Sequence, residues 1–155
     1  MRGLKTIGIL VVLFLLISTA QAGDWPMFQH DLRHTGAIDE KVSDDLKLLW
    51  SYEKPSAVAS SYSSPAVADN KVFIGFTDGK IYCLEADTGK LVWSYKTGGK
   101  VYSSPAVTTD KVFVGSYDGK IYCLKKDTGK LIWSYKTGDA ILTSSPVVAD
   151  GKVFI

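Results

Sequence analysis

Residues 103–138 read SSPAVTTDKVFVGSYDGKIYCLKKDTGKLIWSYKTG, and this stretch decides the fold. The same 36 residues occur upstream, at 63–98, as SSPAVADNKVFIGFTDGKIYCLEADTGKLVWSYKTG, with identity at 27 of the 36 positions. A third copy begins at Ser144 and the printed chain follows it to Ile155. A period near 40 residues is typical of solenoids, propellers and repeat arrays.

The residue types within the repeat favour strands. KVFVGSY and KIYCL alternate along the chain and are rich in Val, Ile, Phe and Tyr, and Asp-Gly between them indicates a hairpin. One repeat is predicted to form four strands, at Ser103–Thr108, Lys111–Ser116, Lys120–Leu124 and Lys130–Lys136. Both faces of the inner strands are apolar, as expected where neighbouring sheets cover them. We therefore predict an all-β fold, a β-propeller of four-stranded antiparallel blades with about two and a half blades present.

The repeat also resembles a known family. DGKIYCLEADTGKLVW, in which two residues separate DTGK from Trp, is similar to the pyrroloquinoline-quinone-type (PQQ-like) propeller repeat. The resemblance covers residues 24–155 and implies that the outer-strand Trp of each blade docks across the gap between adjacent blades. The matching positions are Trp50, Trp93 and Trp133. The family contains quinoprotein dehydrogenases and binding scaffolds, so the resemblance specifies the repeat rather than an activity.

The chain begins with the features of a secretory signal. Arg2 and Lys5 form a positive start, residues 7–17 are apolar, and Ala20-Gln21-Ala22 is a small-residue cleavage site. We expect a signal peptide helix at 1–22, an extracytoplasmic protein (periplasmic, secreted or on the cell surface) and no transmembrane segment in the mature chain. An uncleaved N-terminal anchor is the alternative.

The remaining organisation follows from the repeat. Residues 23–47 are a lead-in, in which Trp25 and Phe28 are expected to plug the propeller. Residues 48–155 hold the blades, with an isolated outer strand at 46–52, full blades at 60–98 and 101–138, and a partial blade at 141–155. Because the third copy stops inside an apolar strand, the sequence predicts an N-terminal fragment of a longer protein.

The net charge and the positions of the histidines and cysteines limit which ligands and partners the chain can be expected to bind. The mature chain would have 16 basic and 16 acidic residues, which argues against binding to nucleic acid. His30 and His34 have a spacing that suits a metal on a helix, but Pro26 and Gly36 limit any helix and no third ligand is evident. Cys83 and Cys123 occupy equivalent blade positions and are expected to be buried thiols rather than a disulfide.

Four Asp-Gly pairs resemble calcium ligands at first sight. Each recurs once per blade at a turn, where Asp caps the turn and Gly adopts positive φ, so we interpret them as structural. The pairs are Asp78 with Gly79, Asp118 with Gly119, Asp87 with Gly89, and Asp127 with Gly129. We predict no catalytic residue and no metal site. PQQ and calcium would be cofactors only if further blades supply their ligands.

Tyr62 and Tyr102 each stand directly before a Ser-Ser-Pro motif at the start of an innermost strand. Packing of the blade rim is the favoured interpretation of both residues, and binding at the channel rim is the alternative. No His–carboxylate pair accompanies the serines, so a serine nucleophile is not predicted.

Three functions are compatible with these features. The first is a non-enzymatic extracytoplasmic scaffold that binds protein or cell-envelope polymers, similar to outer-membrane-assembly or cell-surface PQQ-like repeat proteins. The second is the N-terminal part of a PQQ-dependent dehydrogenase, and the third is the sensor propeller of a larger surface protein. The near identity of the blades favours the scaffold.

Overall fold

The computed structural model describes residues 24–30, 44–53 and 59–155. The predicted signal peptide, the lead-in turn with His34, and most of the loop after Lys54 lie outside these residues. Within the described residues no helix is long and apolar enough to cross a membrane.

The described residues form three antiparallel sheets, one for each copy of the repeat. The first sheet contains β1 (Ala66–Ala68), β2 (Lys71–Gly75), β3 (Lys80–Glu85) and β4 (Leu91–Lys96), hydrogen-bonded in that order. The second contains β5 (Ala106–Val107), β6 (Lys111–Ser116), β7 (Lys120–Lys125) and β8 (Leu131–Lys136). The third contains β9 (Val147–Ala149) and β10 (Lys152–Phe154). This arrangement confirms the prediction of an all-β fold with four-stranded antiparallel blades.

The two complete sheets, the first blade and the second blade, have the same register. Phe73 pairs with Cys83 and Cys83 with Trp93, and the corresponding residues of the second blade pair in the same way. In both blades the register shifts one residue past the cysteine, so the same irregularity is repeated. The similar sequences of the two blades therefore give the same strand register.

The first strand of each blade is shorter than predicted. The sequence predicted Ser103–Thr108, whereas β5 is limited to Ala106–Val107. Pro105 has no N–H to donate to a neighbouring strand, and the Ser103 hydroxyl and the Ser104 backbone N–H take part in other hydrogen bonds. The motif therefore leads into the strand instead of belonging to it.

The core lies between the blades. Phe73, Cys83 and Trp93 of the first blade belong to the same buried cluster as Val112 and Leu124 of the second. Apolar residues on both faces of a strand are explained by this packing, because each blade is covered by its neighbour. Burial of these side chains is the main favourable term for such an arrangement.

The segment 46–52, predicted as an isolated outer strand, contacts the first blade through its side chains. The structure assigns it no strand, because no neighbouring strand of the described residues pairs with it. Its aromatic side chains still pack as the repeat predicts: Trp50 and Tyr52 lie against Tyr82 and Leu84 of the first blade. Side-chain docking is thus present where the strand pairing is not.

The lead-in lies along the first strands of two blades. Trp25 exchanges two backbone hydrogen bonds of 2.7 Å with Val67 of β1, and the Val107 N–H of β5 donates to the Pro26 carbonyl. Met27 is buried, whereas Phe28 is 42% exposed. The lead-in therefore caps the open edges of β1 and β5, and Phe28 is not a buried plug.

Candidate functional site

Each Asp-Gly hairpin is stabilised by hydrogen bonds between its Asp carboxylate and residues of the same hairpin. Asp118 accepts hydrogen bonds from the Lys120 N–H at 3.1 Å and the Tyr122 hydroxyl at 2.5 Å, and Gly119 has φ of 73°. Asp78 and Gly79 repeat this geometry in the first blade, with Tyr82 as the hydroxyl donor. The carboxylates are occupied by their own hairpins.

Asp118 also joins the two blades. Its carboxylate accepts a hydrogen bond from the Gly98 N–H at 3.1 Å, from the loop that follows the first blade. Partial burial would raise the pKa of Asp118, but hydrogen bonds from Tyr122, Ser116 and two backbone N–H groups outweigh it and lower the pKa. Burial and the Asp118 contact raise the pKa of Tyr122 to about 12.

Asp118→Asn is expected to lower the free energy of unfolding by about 2 kcal/mol at pH 7, because a charged acceptor of several hydrogen bonds is lost. The lowered pKa in the folded state means that the stabilisation is present above the unfolded-state pKa of about 3.9 and is lost as the pH falls through the folded pKa. Urea unfolding of the variant and of the wild type, at pH 7 and below pH 3, measures the difference in free energy of unfolding at each pH. An equal difference between variant and wild type at the two pH values would contradict this prediction.

The second turn of each repeat receives a tryptophan from the preceding outer-strand position. The Trp93 indole N–H donates to the Lys126 carbonyl at 2.7 Å, and Trp50 donates to the Ala86 carbonyl at 2.7 Å. Gly89 and Gly129 have φ near 66° and lie directly under the indole rings. In both contacts the indole reaches from one outer-strand position to a turn of the blade that follows it in the chain.

The remaining motif residues lie in the same turns or on the outer strand of the second blade. Asp127 lies 3.4 Å from the Lys71 ammonium of the first blade, and Asp87 accepts a hydrogen bond from the Asn70 amide at 2.8 Å. Trp133 contacts Phe113 at 6.0 Å between ring centroids and is 38% exposed. None of these side chains converges with another into a cluster that suggests catalysis.

The Ser-Ser-Pro motifs form a hydrogen-bond chain from blade to blade. The Ser64 N–H donates to the Ser104 hydroxyl at 2.9 Å, and the Ser104 N–H donates to the Ser145 hydroxyl at 3.1 Å. In the two complete blades the first serine of the motif accepts instead from a glycine N–H of its own blade, at 3.2 Å. The serines thus set the spacing of the blades, and this arrangement was not predicted from the sequence.

The two cysteines are free and buried. Burial raises the pKa of Cys83 to about 12 and that of Cys123 to about 11. The thiols accordingly behave as small apolar side chains.

We expect both thiols of the native protein to react with iodoacetamide at pH 8 about a hundredfold more slowly than the same thiols in urea, because the thiolate is the reactive species. Mass spectrometry after timed quenching measures the modification at each position. Rapid labelling of either thiol in the native state would contradict burial.

Three tyrosines form an exposed row at the end of the blades where the Ser-Ser-Pro motifs begin. The rings of Tyr62 and Tyr102 are 5.6 Å apart and those of Tyr102 and Tyr117 are 6.2 Å apart, between centroids. Tyr62 is 70% exposed and Tyr117 is 51% exposed, with Tyr102 half-buried between them. We call Tyr62, Tyr102 and Tyr117 the tyrosine row.

Sequence reasoning proposed two members of the row and missed the third. Tyr117 occupies the hairpin position that Thr77 holds in the first blade, and its N–H donates to the Lys100 carbonyl at 2.8 Å. The signal in the sequence was this departure from the repeat. Leu142, 52% exposed, takes the place of Tyr102 in the third copy, since Ile141 packs on Gly115 as Val101 packs on Gly75.

A second departure from the repeat is Lys126, where the first blade has Ala86. Its side chain is buried, and its ammonium donates to the Asp69 carboxylate of the first blade and to the Thr109 carbonyl. The hydrogen bond from Lys126 and its charge lower the pKa of Asp69. This ion pair joins the blades and was not foreseen.

The lining of the cleft beside β1 does not fit a quinone cofactor. A cleft of about 560 Å³ lies beside β1, lined by Trp25, Phe28, Gln29, Ser64, Pro65 and Val67. PQQ carries three carboxylates, and this lining supplies no cationic side chain to pair with them.

The described residues also contain no group of three or more His, Cys, Asp or Glu that is arranged to hold a metal. His30 adopts φ of 72°, outside a helix, and His34 is not described.

Comparison with known proteins decides the family. A family model described as outer membrane protein assembly factor BamB matches residues 37–102 and 96–155, most of the chain. This chain belongs to the PQQ-like propeller repeat family. A curated PQQ-like relative, the outer membrane protein assembly factor BamB of Legionella pneumophila (strain Paris), is 46% identical over 48 residues, which are 28% of this chain and 12% of that protein.

Solved PQQ-like structures have the same fold. BamB from Moraxella catarrhalis superposes with a TM-score of 0.56 at 28% identity, covering 66% of this chain and 31% of that one. A quinohemoprotein alcohol dehydrogenase from Pseudomonas putida superposes with a TM-score of 0.73 at 27% identity, covering 84% of this chain and 22% of that one. The chain therefore spans less than a third of the length of each of these relatives, and the described blades are part of a propeller.

Proposed function

We propose that this chain is part of a non-enzymatic extracytoplasmic propeller that serves as a scaffold and binds protein partners through the tyrosine row. The exposed row carries the proposal. Large aromatic side chains, Tyr among them, are enriched where proteins bind one another, because they cover much apolar area and lose little conformational entropy. Tyr62 at 70% exposure has no packing role comparable to that of Tyr82 or Tyr122, which are buried.

The structural contacts made by the other motif residues support a scaffold function. The hairpin carboxylates accept hydrogen bonds from their own turns, the tryptophans of the first two outer-strand positions dock on turn glycines, and both thiols are buried. These residue types could otherwise carry chemistry, yet here each contributes to the blade or to the contact between blades. The tyrosine row, by contrast, keeps two of its three side chains more than half exposed, at 70% for Tyr62 and 51% for Tyr117.

The relatives support the same function. Two of the proteins compared are outer membrane protein assembly factors, and a role in assembling envelope proteins is a binding function. The secretory signal predicted at 1–22 agrees with an extracytoplasmic, envelope-associated protein. A periplasmic location follows from this proposal.

A PQQ-dependent dehydrogenase is the second candidate, favoured by the superposition on the Pseudomonas putida enzyme. Equilibrium dialysis of the full-length protein against PQQ with calcium separates the two candidates. We expect no retention of PQQ. Saturable retention at micromolar concentration would overturn the non-enzymatic proposal.

Photo-crosslinking tests the scaffold directly. A photoreactive amino acid is placed at position 102 of the full-length protein in cells of its source organism, and at position 91 as the control. Leu91 is 50% exposed on the outer strand β4, away from the row. We expect discrete protein adducts from position 102 that position 91 does not form. Equal adduct patterns from both positions would contradict binding through the row.

A further inference from the structure

We infer that the tyrosine row binds an extended polypeptide segment whose alternate side chains are apolar. The inference rests on the proposed function and names the partner class for the same surface. It is carried by three features of the row: the spacing of the rings, their tilt, and the way in which the backbone holds them.

The spacing of the row fits an extended chain. The ring centroids are 5.6 Å and 6.2 Å apart, so the row offers two neighbouring notches of similar width. In an extended strand each residue advances about 3.3 Å and alternate side chains point the same way, which places them about 6.6 Å apart. Consecutive apolar side chains on one face of a strand can therefore enter consecutive notches.

The tilt of the rings favours a polypeptide over a glycan. Tyr62 and Tyr102 are inclined by 53° and Tyr102 and Tyr117 by 74°. Sugar rings stack on aromatic faces, and a glycan chain along the row would need neighbouring faces that share a plane. Tilted rings instead form grooves with apolar walls and hydroxyl groups at the rim, which suit aliphatic side chains flanked by a polar backbone.

The row is held in place before any partner arrives. Tyr102 lies between the other two rings, and the N–H of Tyr117 is bound to the Lys100 carbonyl two residues before Tyr102. The Ser64 N–H to Ser104 hydroxyl bond holds the first blade against the second, two residues after Tyr62 and two after Tyr102. Binding to a pre-organised surface loses less entropy than binding to a mobile one.

The repeat itself supplies matched variants. Tyr117→Thr introduces the residue that the first blade has at this hairpin position, and Tyr102→Leu introduces the residue that the third copy has. Tyr117→Thr is compatible with the local backbone because the first blade already has Thr77 at this position. Leu142 matches Tyr102 when counted from the preceding glycine, Gly138, and the third copy has one residue more before its Ser-Ser-Pro motif. Leu91→Ala removes an equally exposed apolar side chain outside the row and serves as the control.

Fluorescence anisotropy with two labelled nine-residue peptides tests the inference on the full-length protein. One peptide alternates valine and threonine, and the other has the same composition with the valines grouped. We expect saturable binding of the alternating peptide, at least tenfold weaker binding of the grouped peptide, and at least tenfold weaker binding of the alternating peptide by Tyr102→Leu and Tyr117→Thr. Leu91→Ala should bind like the wild type.

Several results would overturn the inference. These are no saturable binding of the alternating peptide, equal affinity for both peptides, unchanged affinity in the two row variants, or preferential binding of a β-linked glycan oligomer. If protein adducts still form from position 102 when the peptide does not bind, the scaffold proposal stands and the extended-segment inference fails. The two proposals are therefore distinguishable.

Discussion

Replacing Trp93 by alanine is expected to lower the free energy of unfolding by about 3–5 kcal/mol, as for other buried aromatic side chains. Trp93 is 8% exposed, packs against Phe73 at 5.9 Å between centroids, and covers Gly129 of the second blade. Its loss opens a cavity between the blades and leaves the Lys126 carbonyl without the indole N–H donor. Urea unfolding followed by circular dichroism measures the change.

Trp93→Phe separates the two contributions. It keeps much of the packing volume and removes the hydrogen bond, so we expect a loss about halfway between wild type and Trp93→Ala. A loss below about 1 kcal/mol for Trp93→Ala would mean that the indole is not a main contact between the blades. The family-wide docking role assigned to this position would then not apply here.

Gly129→Ala is expected to destabilise the same contact by about 2–5 kcal/mol. The residue has φ of 66°, where an L side chain costs about 1–2 kcal/mol. A Cβ at this position would also lie 2.6 Å from the Trp93 indole, and such overpacking costs about 1–3 kcal/mol more. Thermal and urea unfolding measure the combined effect.

Gly151→Ala isolates the backbone contribution. Gly151 has φ of 69° but a Cβ there would meet nothing within 4 Å, so only the conformational cost of about 1–2 kcal/mol is expected. Equal losses at the two positions would show that the close approach of Trp93 contributes nothing. A larger loss at Gly129, largely removed in a Trp93→Ala background, would confirm that the glycine is required by the indole.

Positions at which the two full repeats differ in sequence carry the structural features found in only one of the two blades. Tyr117 replaces Thr77 and completes the tyrosine row, and Lys126 replaces Ala86 and forms the buried contact with Asp69. Residues that repeat, such as Asp78 and Asp118, form the same hairpin in each blade. A surface that occurs in one blade and not in the other is therefore expected at positions where the sequences of the two blades differ.

The sequence by itself determined the blade. Alternating apolar residues, Asp-Gly hairpins and the DTGK turn depend on neighbours within about ten residues, so local geometry is enough to place β2 to β4 and β6 to β8 within a residue of their observed ends. The docking of Trp93 was implied by resemblance to the family, and the structure adds its hydrogen bond to the Lys126 carbonyl.

Only the tertiary structure decided what lies between the blades. The tyrosine row brings together residues from different copies of the repeat, and the serine chain and the Lys126–Asp69 pair also cross from one blade to the next. Their contacts depend on how far each blade is rotated and shifted against its neighbour, a quantity that no local pattern encodes. Segment 46–52 is assigned no strand for the same reason, because a strand exists only where another strand lies beside it to share its hydrogen bonds.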